Sequence, residues 1–536
     1  RPLTPTSQLA QLAFMAVSLS TETLNWHCPP WGGTVQGPSY DRKAVKPGIV
    51  HLGISDFHRG HQAHFIDAIL GSNEAGCLNW GISAVSLAPD TKMRHAMRKQ
   101  DGMYTLCVRS GQECQTHIIG AYCEHLFAPD DHRKILHRLC APSTKILSIM
   151  VDDLDYHLDE NLELVESEEV QSDLQALDCQ RLEDLAERPF QTLPGYLVAT
   201  AMIRRMEHEV PVAVLADGPV AEAAMAMAAK TFGTDLAEYI QSKWRFPKMV
   251  CERVVYQVTP ELLEETHRIS GVADRCPVVC EDFVRWVVED KFPAGRPHLD
   301  GVLNGGCLFV DDAAPFREIQ AKVFYGAGQA VCYLGLLRGF HRVKDAVLDP
   351  IVANFLHKYL AVVLEHALQV PEGFDLMSYK EEAFQRLQQS NQDLMDLAVN
   401  GTSQIEKYCM ACLPSFPKMD ATSVKPLVLL LCFWLRYLAV AEDENETPFS
   451  HAHDDRFADI SPLAQVLWRN AVKTSKGEGG ETLRRPPPRE DAKAFITQAF
   501  PRVDVGPTVL VEVMASQIVA LRANDITTFL TTVARL

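Results

Sequence analysis

Residues Gly53 to Gly60, GISDFHRG, follow an apolar run at 48–53 and lead into a helical pattern from His58 to Leu70. A turn of this kind can cradle a phosphate: glycine lets the backbone approach a pyrophosphate, and the helix N-terminus offers unpaired N–H groups. Here Ser55 stands at the second glycine position and Asp56 at the start of the helix, followed by Phe57. A carboxylate ~4 Å from a phosphate repels it by roughly 4 kcal/mol at an effective dielectric of 20. In the other reading, Asp56 caps the helix and takes the anion's place itself. Ser86 and Asp90, near the end of the next apolar run, could meet an adenosine ribose.

Other residues with chemical potential carry weaker signals. Cys409-Met-Ala-Cys412 is a lone CxxC without a second pair at zinc spacing, so it reads as two thiols near a helix end. His451-Ala-His453-Asp454-Asp455 holds ligand-type residues but reads as a solvated turn, and no metal site is expected. Lys473, Lys476, Arg484, Arg485 and Arg489 cluster beside three prolines. The stretch 474–491 reads as an exposed or disordered loop, either simply solvated or a docking segment for an acidic protein partner.

The elements that must position these residues follow from periodicity. Apolar runs at 48–53, 80–87, 145–151 and 210–216 alternate with helical patterns such as Thr91 to Lys99, which predicts a mostly parallel sheet with helices on both faces. Beyond about residue 311 the pattern turns to helices over 315–339, 343–369, 379–399, 424–441 and, with breaks, 493–533. The expected organisation is an N-terminal extension at 1–43, a Rossmann-type doubly wound α/β domain at 44–310 and a mainly α-helical domain at 311–536. A short surface helix is expected over Leu9 to Leu19.

The chain has 536 residues, 69 acidic and 51 basic, for a formal charge of -18. That balance argues against a general nucleic-acid or anionic-membrane surface and leaves protein partners open. The apolar run Leu427 to Leu435 is cut by Arg436 and falls short of the roughly 18 residues of a membrane span, so it predicts a buried helix. Fifteen cysteines without regular spacing point to reduced thiols and a reducing compartment, either cytoplasm or an organelle interior such as the mitochondrial matrix. Arg1 is no initiator residue, so an upstream segment, such as a targeting peptide, is expected.

Several islands in order resemble the polyol-specific long-chain dehydrogenases, the family of mannitol 2-dehydrogenase and fructuronate reductase. IVHLGISDFHRGHQAHFIDAIL at 49–70 is similar to that family's strand, glycine turn and Phe-His-Arg-x-His motif. WGISAVSL at 80–87, QDGMYTL at 100–106, FPKMVCERV at 246–254, CEDFVRWVVEDKFPAGRP at 280–297 and YLGLLRGFHRV at 333–343 extend the likeness, as does the gapless register from Tyr379 to Tyr408. The resemblance implies a Rossmann-type domain, a helical domain, an active site between them and NAD(H) as cofactor. Ser55 and Asp56, among the turn positions Gly53, Ser55, Asp56 and Phe57, weigh against that cofactor.

The family's catalytic pattern runs Pro-Tyr-Glu, two residues, Lys, four residues, Asn, two residues, His, then Tyr-Leu-Gly. Aligned with PFREIQAKVFYGAGQAVCYLG at 315–335, its lysine base falls on Gln320 and its two oxyanion donors on Tyr325 and Gly328. An amide is no base near neutral pH, the tyrosine is bulky, and glycine has no side chain. Lys322 lies about 200° around a regular helix from position 320 and so does not replace the base. By the same resemblance Arg317 stands for a glutamate, Gly218 for an asparagine, Asp396 for an arginine and Gln404 for a lysine. Asp153 and Glu252 are conservative replacements, read either as pocket residues or as structural ion-pair partners. The expectation is a catalytically inactive relative kept for a structural or interaction role, as a subunit of a larger assembly. The alternative is an NAD(P)-dependent oxidoreductase acting on a polyol or keto-sugar through a rebuilt site.

Overall fold

In the computed structural model the chain divides into two compact units, Arg1–Ala313 and Ala314–Leu536. The structure describes residues 17–28, 35–72, 74–87, 90–111, 113–151, 153–178, 185, 189–366, 368–415, 421–472, 474–476, 482–484, 487–503 and 508–533. The first unit is built on six parallel strands: β1 (Pro47–Leu52), β2 (Gly81–Ser86), β3 (Tyr122–Phe127), β4 (Ile146–Ile149), β5 (Val212–Ala216) and β6 (Trp244–Arg245). Their order across the sheet is β6-β5-β4-β1-β2-β3, with every pair parallel. This is the doubly wound Rossmann order, whose chain reverses direction between β1 and β4 and opens a crevice at their carboxyl ends.

Helices cover both faces, which is why these strands read as near-continuous apolar runs. Val50 and Leu52 of β1 pack into one core while Ile49 packs into the other. The chain leaves β1 through α1 (Asp56–Gly60) and α2 (Gln62–Leu70), and leaves β2 towards α3 (Thr91–Lys99). Further on lies α4 (Pro260–Ser270). A second, mixed sheet joins 255–256, 278–281, 104–110, 113–119 and 35–36 in that order. A third joins 249–252, 285–289 and 307–310.

The described part of residues 1–43 does not stand apart as an extension. Val17–Ser18 pairs with Val272–Ala273, and Val35–Gln36 pairs with Thr116–His117, so both strands belong to the first unit. Of the helix expected at Leu9 to Leu19, residues 9–16 lie outside the described residues, and Val17–Ser18 is strand.

The second unit is helical and centres on α5 (Gly326–Leu337), buried along its whole length. The smaller α6 (Leu394–Leu397) and α7 (Gly401–Tyr408) flank it, and α8 (Lys425–Ala439) packs against it. The apolar run at 427–435 is therefore a core helix, and among the described residues no helix is long and apolar enough to cross a membrane. The stretch 474–491 is not a plain loop. Thr474–Lys476 pairs antiparallel with Thr482–Arg484, and Arg489 begins a helix to Ala499.

Trp434 of α8 is fully buried, with its ring 5.3 Å from Phe495 and 5.5 Å from Phe500. Trp434→Ala should cost about 3–5 kcal/mol, through lost transfer energy and the cavity left behind. Urea unfolding followed on the second unit would measure it, and a loss below about 1 kcal/mol would contradict this packing.

Candidate functional site

The glycine turn lies at the carboxyl end of β1. Gly53 has φ +90°, and a Cβ there would overlap the Met150 carbonyl oxygen at the end of β4 and lie 2.9 Å from Val151 Cγ1, so only glycine fits. Ser55, in extended backbone, caps α1: its Oγ accepts from His58 N at 3.1 Å and donates to Met150 Sδ at 3.2 Å. The cap is thus Ser55, not Asp56. Asp56 occupies the first turn instead, half exposed, with its carboxylate ion-paired to the buried Arg59. The next residue, Phe57, stacks on His61 at 5.4 Å.

A pyrophosphate does not fit this turn as built. The carboxylate stands where the negative charge of a phosphate would be drawn, and it already holds the nearby guanidinium. Beside it opens a cleft of about 690 Å³, lined among others by Asp56, Arg59, Asp90, Lys92 and Arg275. Asp90 caps α3, its Oδ1 accepting from Lys92 N at 2.9 Å and Met93 N at 3.0 Å. Ser86 Oγ lies 3.0 Å from His125 Nε2.

The histidines after the turn are interior groups. His51 stacks on His58 with centroids 3.3 Å apart; its Nε2 donates to the Gly53 carbonyl at 2.8 Å, and its Nδ1 lies 3.1 Å from Ser148 Oγ. His58 Nδ1 is 2.8 Å from the Tyr122 hydroxyl, and His61 Nε2 donates to the Arg285 carbonyl at 2.8 Å. Arg253 Nη1 donates to His64 Nδ1 at 3.0 Å. Burial holds His51 and His61 down at about 3 and puts His58 and His64 well below the ordinary histidine value.

Three more expected positions belong to this unit. Glu252 is buried, directly opposite Arg285 in antiparallel register, which suits a structural cross-strand pair. Asp153 begins a 3₁₀ turn ending at Tyr156, and its side chain lies outside the described residues. A Cβ on Gly218 would overlap the buried Tyr156 ring, 2.7 Å from Cζ, so the space beside Gly218 is already filled.

In the second unit the helix opens as Ala314–Ile319, continues as a π-helical turn over Gln320–Tyr325, and resumes as α5. In a regular α-helix residues five apart diverge by about 140°. In a turn closed by i→i+5 bonds they stand on one side. The π-turn therefore brings Gln320 and Tyr325 onto a common face, with Gly328 one α-helical turn further on. Sequence reasoning assumed a regular helix and missed this turn; the five-then-three spacing of the aligned positions was the available signal.

Around that face, Gln320 is buried and Tyr325 is 39 % exposed, stacked on Tyr408 of α7 at 4.9 Å. A Cβ on Gly328 would touch only the Leu397 methyl groups, at 3.9 and 4.0 Å, which leaves room for a side chain. Exposed Asp396 directly precedes Leu397 on α6, and Gln404 lies one turn before Tyr408 on α7. Arg317 is exposed. Lys322 is buried and ion-paired with Glu318 one turn back.

Asp454 does more than solvate a turn: its Oδ2 accepts from both Thr402 N and Thr402 Oγ1 at 2.8 Å, fixing the start of α7. Cys409 and Cys412 are both buried, and burial pushes the Cys412 thiol up to about 12. Among the described residues no group of three His, Cys, Asp or Glu could hold a metal ion.

The sheet order and the turn at β1 define a Rossmann-type α/β protein followed by a helical domain. Residues 47–301 match the mannitol dehydrogenase Rossmann domain, and residues 312–477 match the mannitol dehydrogenase C-terminal domain. A mannitol 2-dehydrogenase of Pyricularia oryzae is 30 % identical over 444 residues, covering 80 % of this chain and 86 % of that protein. Mannitol dehydrogenase 2 of Saccharomyces cerevisiae is 28 % identical over 525 residues, covering 94 % and 98 %. Among solved structures, a D-sorbitol dehydrogenase in substrate-free form superposes with TM-score 0.78 at 22 % identity, covering 94 % of this chain and 98 % of that one. Pseudomonas fluorescens mannitol 2-dehydrogenase, in ternary complex with NAD and D-mannitol, superposes with TM-score 0.73 at 24 % identity, covering 97 % and 100 %. The chain belongs to the mannitol dehydrogenase family.

Two outcomes follow from this geometry. Gly218→Asn should destabilise the protein by about 1–3 kcal/mol, because the added side chain must displace Tyr156; an unchanged melting curve would rule out that contact. The four buried histidines have folded pKa values below their unfolded ones, so they add no pH dependence above about 6.5 and penalise folding as the pH falls below it. Each should cost about 1.4 kcal/mol per pH unit once the unfolded form is protonated, down to about pH 3 for His51 and His61. Urea midpoints at pH 7.5 and 5.5 report this, and an uptake of fewer than about two protons on unfolding in that interval would contradict it.

Proposed function

We propose that this member of the mannitol dehydrogenase family does not carry out the family's hydride transfer and serves a structural or interaction role as a subunit of a larger assembly. The observation that carries the reading is the face of the π-turned helix, where Gln320, Tyr325 and Gly328 stand together and position 320 holds an amide in place of an amine base. A base must present a lone pair that titrates near working pH, and an amide does not. Losing general base help costs roughly 10²–10⁴ in rate and losing an oxyanion donor roughly 10²–10³, though the two do not simply add. Lys322 does not repair the loss, because its ammonium is held by Glu318 nearly half a turn from Gln320. The Asp56–Arg59 pair, which leaves the turn unsuited to a pyrophosphate, supports the same reading. The segment 474–491, with its basic residues and prolines, is the proposed docking element for a protein partner.

Isothermal titration with NAD(H) and NADP(H), followed by a turnover screen on D-mannitol, D-sorbitol and keto-sugars, tests this. The expected result is no saturable dinucleotide binding in the micromolar range and no measurable turnover. Micromolar binding with a rate of roughly 1–10³ per second would overturn it in favour of an NAD(P)-dependent oxidoreductase with a rebuilt site.

A further inference from the structure

Strands Tyr104–Ser110 and Glu113–Ile119 pair antiparallel as consecutive strands of a hairpin. Its register sets Cys107 opposite Thr116 and Arg109 opposite Cys114, so the two thiols are diagonal neighbours on one face. On that face Cys107 Sγ lies 3.8 Å from Thr116 Oγ1. Their surroundings differ: Cys107 is 1 % exposed, whereas Cys114 is half-buried one residue from the hairpin's end. The outer neighbour of the second strand, Val35–Gln36, pairs with Thr116 and His117. Among the described residues, Glu113 to Gln115 therefore has no strand paired on its outer edge.

We propose that Cys107 and Cys114 are a reversible oxidation site for a hydroperoxide, with Cys114 the attacked thiol and Cys107 the one that resolves it. The Cys114 thiolate takes one peroxide oxygen to become a sulfenic acid, and the other oxygen leaves as water after protonation. The Cys107 thiol then displaces the sulfenic oxygen as a second water and forms the disulfide. Two thiols lose two electrons in all, and one hydrogen peroxide is reduced to two waters.

The neighbouring Cys107 thiol, with the Arg109 guanidinium opposite, holds the Cys114 thiol down at about 7, and the Cys114 thiol followed by burial raises Cys107. Elsewhere burial pushes Cys276, Cys280, Cys307 and Cys412 up to about 12, which keeps them unreactive. A low-pKa, partly exposed thiol beside a second one is the arrangement that senses peroxide. Diagonal cysteines begin farther apart than the roughly 3.5–4.5 Å between Cβ atoms that a disulfide requires, so closure draws on movement at the hairpin's end.

The test uses the full chain treated with a small excess of hydrogen peroxide, then differential alkylation, trypsin and mass spectrometry. Trypsin cuts after Arg109, so the expected product is a pair of peptides joined through Cys107 and Cys114 and separated again by dithiothreitol. Cys107→Ser should leave Cys114 trapped by dimedone as its sulfenic acid, and Cys114→Ser should abolish oxidation in the hairpin. Without any variant, iodoacetamide should label Cys114 in the native protein roughly tenfold faster at pH 7 than a thiol of ordinary pKa, with a midpoint near 7. Labelling of Cys114 no faster than of half-buried Cys77 or Cys251, or direct passage of Cys114 to sulfinic acid with Cys107 unchanged, would overturn the proposal.

Discussion

In the first unit β1 runs through the middle of a parallel sheet with both faces covered, and His51 sits inside it with no exposed surface. Burial disfavours a charged imidazole and favours hydrogen-bond partners for its nitrogens. His51 finds them in the Gly53 carbonyl and Ser148, and its ring lies flat on His58. His58 reaches Tyr122, Arg59 reaches the Cys276 carbonyl and Asp56, and His61 reaches the Arg285 carbonyl. Contacts from His58 and His61 thus tie the segment after the turn to strands from elsewhere in the unit. The motif that resembles part of a cofactor site therefore also holds the fold together.

In the second unit the frame is set by close packing. Two glycines bring the helix against its neighbours: a Cβ on Gly326 would lie 2.8 Å from Tyr359 Oη, and one on Gly335 would lie 2.9 Å from both Ala346 Cβ and Leu394 Cδ1. Those contacts, with the burial of α5 from Gly326 to Leu337, act on packing and are indifferent to the side chains at 320, 325 and 328. A π-turn costs hydrogen-bond geometry relative to an α-helix and is found mostly where it places side chains for function. Here it places an amide, a stacked tyrosine and a gap.

The doubly wound core was legible because strands buried on both faces leave unbroken apolar runs between helical periods, as at 48–53 and 210–216. Strand Tyr122–Phe127 escaped notice because Glu124 and His125 interrupt its apolar character, and Trp244–Arg245 because two residues make no pattern. The mixed sheet was hidden for another reason: it pairs Cys107 with Val279 across most of the unit, and no local period records such a distance. Thr474–Lys476 and Thr482–Arg484 were read as loop because glycine, proline and charge around them outweighed three-residue strands. At the site, residue types were readable but their use was not. Asp56 could be seen at the start of the helix, yet whether it or Ser55 caps depends on backbone angles, and Asp454 shows its hold on Thr402 only once residues 52 apart meet.

Gly218 and Gly328 differ in what surrounds them. Both stand where the family resemblance expects a polar side chain, and both are glycine. Around Gly328 the nearest atoms to a new Cβ are two Leu397 methyl groups at ordinary contact distance, so the gap was not closed by its neighbours. Around Gly218 the Tyr156 ring fills the space, and refilling the position means moving a fully packed aromatic. An open gap costs packing energy with nothing gained, whereas a filled one has become part of the core. The Tyr156 ring beside Gly218 is therefore part of the core of this unit.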